Sequence, residues 1–337
     1  MASLFCMANY VGTSPTDLCF PSQVVSSSNI RAGTMLRTTF GHRIRALNVK
    51  HRCFSSSSSS SAAAAAVKID DEEVKQFEED GAIVVRKLFS PDWVEQLRDV
   101  VEVNMKNPGP LCDEHVKPGE PGRFHDDQFL WTRYDVVNKF LFESPAGEIA
   151  KRMTRAKQVR LFYDQLFIKE PGTRTTTPWH NDHSYWPLIG DQVISLWLAL
   201  DYVPKSSCVQ YVKGSHKWKL MHKISSFAGN EGRYQDANLD SLPDMPDIDN
   251  QLDKVELLTW DMEPGDCLVH HSFSVHGSPG ISESGHRRRA YATRWVGDQV
   301  IFDPRPGTMY QLWLKAGYDA KLGPGSTMES ELFPAVV

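Results

Sequence analysis

Asp191–Val203 reads DQVISLWLALDYV. Between the two polar ends the run is almost continuously apolar, rich in β-branched and aromatic residues, and too short for a membrane span. A strand of this kind is buried on both faces, because one solvated face would demand alternation. It needs neighbours, and the flanking sequence supplies them. On the N-terminal side QVRLFYDQLFIKEPG (158–172) has β composition and stops at Pro171-Gly172. On the C-terminal side VQYVKGSH (209–216), GDCLVHHSFSVHGS (265–278) and RRRAYATRWV (287–296) are further strands ending in turn residues. Helical signals come before all of these. DDEEVKQFEEDG (70–81) has an acidic first turn and a terminal glycine. Ser90-Pro91 offers a cap and a first-turn proline for a helix in which Trp93, Leu97, Val100 and Val101 recur at helical spacing. A further helical region spans YDVVNKFLFES to GEIAKRM, whereas residues 107–126 are rich in Pro and Gly and read as a loop. Helices first and strands afterwards predict an α+β fold whose antiparallel sheet closes into a barrel or sandwich.

The first 66 residues are of another kind. They hold one acid, Asp17, and the bases Arg31, Arg37, Arg43, Arg45, Lys50 and Arg52, and they end in seven serines and five alanines. An acid-poor, Arg- and Ser-rich leader reads as an organellar transit peptide, with a disordered tail as the alternative. From Met35 the stretch MLRTTFGHRIRALNVKHRCFSSS resembles a mitochondrial presequence; the absence of Lys and Arg from the first 30 residues suits a plastid signal instead. The terminal PAVV is not a peroxisomal tripeptide. Residues 67–337 are then expected to form one domain, with a polar, acidic, lid-like insertion near 225–257 that is too long for a simple connection. A formal net charge of −5 gives no electrostatic reason to expect nucleic acid, and no apolar run is long enough to span a membrane. Of the six cysteines none forms a C-x-x-C pair, which argues against a disulfide framework or a thiolate zinc site.

Chemistry is suggested just ahead of the apolar strand, in TPWHNDHSYWP (177–187). In extended chain, residues two apart point the same way, so His180 and Asp182 can approach one cation while Asn181 turns aside. A His-x-Asp alone is weak, and the chain has a second one in His125-Asp126-Asp127. A third ligand raises the odds, and VHHSFSVHGS offers His270, His271 and His276. His276 precedes Gly277-Ser278 and so sits at a strand mouth. Two histidines and one carboxylate leave three positions open on an octahedral metal, the arrangement of non-heme Fe(II) oxygenases. An anionic cosubstrate would then need a basic group. HRRRAYATRW places Arg288 and Arg294 on one face and Arg287 and Arg289 on the other, and either face can be the inner one.

In order along the chain, FEEDGAIVVRKLFS, DQLFIKEPG, WHNDHSYWP, GSHK, HGS and RRRAYA resemble the phytanoyl-CoA dioxygenase family of Fe(II)- and 2-oxoglutarate-dependent oxygenases, over about residues 71–297. The resemblance implies a double-stranded β-helix, a cupin-like jelly roll, flanked by N-terminal helices. It makes His180, Asp182 and His276 the iron ligands and Arg288 the partner of the distal carboxylate of 2-oxoglutarate, with Ser278 adding a hydroxyl. Gln165 and Trp197 match positions that line the cosubstrate pocket, and His271 matches a histidine that is not a ligand. His183 and His216 are structural or substrate-facing, and Trp179, Tyr185 and Trp186 are candidates for the substrate wall. The implied reaction consumes O2 and 2-oxoglutarate, releases succinate and CO2, and hydroxylates a small organic molecule, with ascorbate a candidate further cofactor. Halogenating relatives replace the carboxylate ligand, and Asp182 is present. One departure, Ser206-Ser207 where the family often has Asn-Gly, is expected to leave the metal and cosubstrate positions untouched. The alternatives are a metal-dependent jelly-roll hydrolase or isomerase without 2-oxoglutarate, and a non-catalytic binding protein of the same fold.

Overall fold

The computed structural model describes residues 69–224, 242–282 and 285–337. The leader, and residues 225–241 of the expected lid, lie outside them. The chain enters through helix α1 (Asp71–Asp80), closed by a capping box between Asp70 and Glu73 and ended by Gly81 at φ +79°. Strand β1 (Ala82–Val85) follows, then α2 (Pro91–Lys106), capped by Ser90 and started by Pro91 as its sequence predicts. Helices α3 (Asp135–Glu143) and α4 (Ala146–Thr154) are separated at Ser144-Pro145, because proline cannot continue the preceding helix.

The region 107–126 is not only a loop. It holds the hairpin β2 (Asp113–Glu114) and β3 (Phe124–Gln128), and β3 pairs with β4 (Val159–Lys169). Completing the set are β5 (Thr177–His180), β6 (Leu188–Ile189), β7 (Val193–Ala199), β8 (Gln210–Val212), β9 (Leu257–Leu258), β10 (Cys267–His271), β11 (His276–Ser278), β12 (Arg288–Gly297), β13 (Ile301–Phe302) and helix α5 (Tyr310–Lys315). The strands form an antiparallel seven-stranded sheet in the order β1-β10-β7-β12-β4-β3-β2 and a smaller one in the order β5-β11-β8-β9. β6 and β13 pair separately. Residues of both larger sheets line one cavity, and the α+β jelly-roll core expected from the sequence is the fold.

Strand β7 lies near the centre of the large sheet and is buried along its whole length. Ile194, Leu196 and Leu198 face the helices and pack with Phe77, Leu97, Val101, Phe140 and Ile149. Ser195, Trp197 and Ala199 face the cavity side. Burial of each large aliphatic side chain stabilises by about 2 kcal/mol, so the helical layer fixes the sheet whose other face carries the polar groups. GDCLVHHSFSVHGS, read as one strand, is two. β10 belongs to the large sheet and β11 to the small one, and the turn at Ser272–Val275 carries the chain between them. No helix of the described residues is long and apolar enough to cross a membrane.

Candidate metal centre

Two strands and a turn bring three ligand atoms together. In the β5–β11 pair, His276 lies opposite His180. The strands come close because position 277 is glycine: a Cβ there would stand 2.9 Å from the Thr177 carbonyl oxygen. Asn181 ends the extended run, and its side chain caps a short 3-10 turn starting at Asp182, accepting from the Ser184 amide and hydroxyl. The cap turns Asp182 back toward His180. Donor atoms of His180, Asp182 and His276 all lie within 4.8 Å of one another, and all three residues are buried. His180 Nε2 is 3.7 Å and His276 Nε2 4.0 Å from Asp182 Oδ1.

The outer atoms of the three residues are already engaged. His180 Nδ1–H donates to the Pro178 carbonyl at 2.8 Å, and His276 Nδ1–H to that of Ser274 at 2.9 Å. Both rings therefore present unprotonated Nε2 to the common point. Asp182 Oδ2 accepts from Ser195 Oγ at 3.1 Å and from His270 Nε2–H at 3.2 Å, while Tyr211 OH donates to His270 Nδ1 at 3.1 Å. This leaves Oδ1 for the centre. Ligand orientation by such outer hydrogen bonds is a feature of metal sites. Burial holds the His180 imidazole down at about 3 and that of His276 at about 4, so both are neutral near pH 7. Burial alone would raise the Asp182 carboxyl; the hydrogen bond from His270, with the electrostatic influence of His276, His270 and Arg294, outweighs it and keeps the group ionised.

The three residues open into a cavity that encloses about 900 Å³ of space not filled by atoms, part of it open to solvent. Gln165, Trp197, Ser278 and Arg288 also line it, so the structure brings all seven candidate residues together. The inner face of β12 is the one carrying Arg288 and Arg294; Arg287 and Arg289 point outward to Glu102, Glu170 and Asp201. Arg288 is 3% exposed, donates from Nη1 to the Ser207 carbonyl at 2.6 Å, and has an Nε without an acceptor. The Ser206-Ser207 departure therefore does touch a cosubstrate candidate, through a backbone carbonyl that its side chains do not betray. Burial draws the Arg288 guanidinium down to about 10, which leaves it charged.

Lys169 was not foreseen. It is fully buried opposite Arg288, and Nζ donates to Ser278 Oγ (3.2 Å) and to the carbonyls of Thr175 (3.0 Å) and Pro279 (3.1 Å). Burial and the charge of Arg288 push it well below an ordinary lysine. Alternation along β4 was the available signal, since Lys169 shares the phase of Gln165. His270 was a candidate ligand and instead orients Asp182. Asp126, read as part of a loop, is in the cavity wall because β3 pairs with β4; it accepts from Gln165 Nε2 at 3.1 Å and from His115 Nε2. Tyr185 and Trp186 line the cavity, but Trp179 does not: it donates to Asp249 and packs beside Ile248 and Val275. His183 stacks on Phe273, and His271 and His216 lie together on the far side of the sheet.

The family model described as phytanoyl-CoA dioxygenase (PhyH) matches residues 77–290. The chain belongs to the phytanoyl-CoA dioxygenase family. Among members of that family, the peroxisomal phytanoyl-CoA dioxygenase of Rattus norvegicus is 25% identical over 231 residues, which is 64% of this chain and 65% of the rat protein. A probable phytanoyl-CoA dioxygenase of Caenorhabditis elegans is 25% identical over 258 residues, 68% of this chain and 76% of its own. Among solved structures, the non-heme alpha ketoglutarate dependent carbocyclase SnoK superposes with a TM-score of 0.61 at 22% identity, over 81% of this chain and 98% of its own. EctD from S. alaskensis, with 2-oxoglutarate and 5-hydroxyectoine, gives 0.59 at 16% identity, over 78% and 87%. These likenesses establish the fold, and the family is carried by the match over residues 77–290.

Proposed function

We propose that the protein is an Fe(II)- and 2-oxoglutarate-dependent dioxygenase that hydroxylates a small organic molecule. The observation that carries this reading is the pairing, in one cavity, of an oriented His-Asp-His cluster with a buried arginine that has no acidic partner among the described residues. Iron fits the donor set: two neutral imidazoles and one carboxylate, with part of the coordination sphere left to other ligands. With iron, 2-oxoglutarate and O2 bound, the centre would convert 2-oxoglutarate to succinate and CO2 and insert one oxygen atom into a substrate C–H bond. His180, Asp182 and His276 would hold the metal, with the Nδ1–H bonds and the His270–Asp182 bond fixing their orientation. Arg288 and Ser278 would take the distal carboxylate of the cosubstrate, with Lys169 behind Ser278 holding its hydroxyl, and Gln165 and Trp197 would line its channel. That carboxylate would supply the acceptors and the counter-charge that Arg288 lacks. A hydrolase or isomerase using the same three ligands has no use for that basic pole, which weighs against it.

SnoK is described as a carbocyclase, so hydroxylation is one of several outcomes open to such sites, and the retained Asp182 supports it here. The relatives named above include a peroxisomal enzyme, whereas the leader composition favours import into mitochondria, or else plastids; a fluorescent fusion of the full chain tests this. We take residues 1–66 as that leader and 67–337 as one catalytic domain with a lid-like insertion near 225–257.

The test is an anaerobic titration of the full chain with Fe(II) and then 2-oxoglutarate, followed by oxygen and a panel of small metabolites, with succinate as the readout. Binding of 2-oxoglutarate only in the presence of metal, and succinate release stimulated by a metabolite, is the expected result. Metal binding with no 2-oxoglutarate binding would move the assignment to the hydrolase or isomerase.

A further inference from the structure

A second arginine on the cavity face of β12 has no role in the assignments above. Arg294 lines the cavity and is 4% exposed. Among the described residues it pairs with no carboxylate. Its one hydrogen bond there is a long one, from Nη1 to the Ala292 carbonyl at 3.4 Å, and Nε has no acceptor. The guanidinium carbon stands over two rings, 4.8 Å from the centre of Tyr163 and 5.4 Å from that of Phe167. Five N–H donors buried with so little to bond to are expensive unless an acceptor enters from the cavity.

The acids nearby are committed elsewhere. Asp182 gives Oδ2 to Ser195 and His270 and turns Oδ1 to the two histidines. Asp126 accepts from Gln165 and His115. Asp164 has the opposite phase on β4 and accepts from Tyr291 OH and the Trp131 amide. The proposed cosubstrate already has a cation for each carboxylate: Arg288 for the distal one and the metal for the other. Arg288 and Arg294 are six positions apart on one strand, about 20 Å between Cα atoms at strand rise. The inward positions between them are Ala290 and Ala292, small residues that leave the floor between the two cations open.

We propose that Arg294 anchors an acidic group of the substrate, which makes the substrate a small organic acid. Its carboxylate lies in the guanidinium fork, and its body extends over Tyr163 and Trp186 toward the metal centre. Asp182 and Asp164 feel the charge of Arg294 but neither is bonded to it, so an acid, which fills the fork as a charge-assisted acceptor, is favoured over a neutral group. The inference rests on the reading that Arg288 holds 2-oxoglutarate.

The experiment is isothermal titration under anaerobic conditions, with the full chain saturated in Fe(II) and 2-oxoglutarate. The probes are short- and medium-chain alkyl and aryl carboxylic acids, each against its own primary amide. At least one acid is expected to bind roughly tenfold or more tighter than its amide. Arg294→Gln should abolish that preference while 2-oxoglutarate affinity changes by less than about threefold. Arg294→Lys keeps the charge and loses the fork; it should keep the preference with roughly tenfold weaker binding, and it decides the matter if the glutamine variant does not fold. The proposal is overturned if no acid outcompetes its amide, if Arg294→Lys binds the acid as tightly as the wild type, or if Arg294→Gln weakens 2-oxoglutarate about tenfold or more, which would give Arg294 to the cosubstrate. A wild type that fails to bind 2-oxoglutarate at the first step sinks the oxygenase reading, a failure visible before any acid is added.

Discussion

Arg288→Met separates a structural arginine from a binding one, because the two roles predict opposite signs. The guanidinium is buried and, among the described residues, meets no acid, only the Ser207 carbonyl and the ring of Trp197 at 5.8 Å. Burial has lowered it from 12.5 to about 10. A displacement of that size corresponds to about 3 kcal/mol spent on keeping the charge in the interior. Methionine fills much of the same volume without the charge, and it also relieves Lys169, which the charge of Arg288 depresses. Against this stands the Ser207 carbonyl, which loses its donor at a cost of about 1–2 kcal/mol. The net expectation is a ligand-free protein more stable by about 1–2 kcal/mol, a rise of a few degrees in melting temperature for a domain of this size. Binding should move the other way. Loss of a charge-assisted fork to a carboxylate costs about 3–5 kcal/mol, and therefore weakens 2-oxoglutarate by about two to four orders of magnitude. Differential scanning fluorimetry of the Fe(II)-loaded protein without cosubstrate gives the first quantity, and anaerobic titration the second. A variant that melts lower than the wild type and binds 2-oxoglutarate unchanged would show that Arg288 serves the fold, and the cosubstrate assignment would have to be abandoned.

His270→Phe removes the donor to Asp182 Oδ2 but keeps a ring against Tyr211; it should weaken metal binding about 10–100-fold with little change in fold, as read by competition with a chelator. Gly277→Ala forces a Cβ to within 2.9 Å of the Thr177 carbonyl, so β5 and β11 must move apart; metal affinity is expected to fall while far-ultraviolet dichroism is unchanged. Acid should destabilise the metal-free protein early. His180, His183 and His271 are held at about 3 and His276 at about 4, all lowered first by burial, so between those values and about 6.5 the unfolded chain binds more protons than the folded one. Stability is then flat above about pH 6.5 and falls below it by up to about 1.4 kcal/mol per histidine per pH unit, measurable in urea melts across pH 5–8. Because the two ligand imidazoles are already neutral at pH 7, metal binding there should release almost no proton from them, which calorimetry in buffers of different ionisation enthalpy can check.

What the sequence made legible, and what it hid, follows from how far each interaction reaches along the chain. Helix α1 and the start of α2 are written in their own caps, Asp70 with Glu73 and Ser90 with Pro91, all within one turn. Strand β7 is written in its composition, because burial on both faces leaves room for a single polar residue, Ser195. His180 and Asp182 are legible through spacing, and His276 through the Gly277-Ser278 that follows it; the role of His270 is not local, because the turn at Ser272–Val275 sends β10 to one sheet and β11 to the other. The same limit explains the hairpin β2–β3, whose strand β3 holds two carboxylates and a histidine. Such residues resemble a solvated loop until β4 is seen to pair with them, after which Asp126, Gln165 and Lys169 fall on one wall. Arg288 against the Ser207 carbonyl is the extreme case, since a backbone acceptor 81 positions away has no side-chain signature at all. Local rules therefore recover the scaffold and the metal motif, whereas the charge balance of the cavity, which selects what binds there, is a property of the sheet pairing. Two buried arginines facing one cavity, with only two acids in its wall among the described residues and both of these already engaged, is a statement about anionic ligands that no stretch of this chain makes by itself.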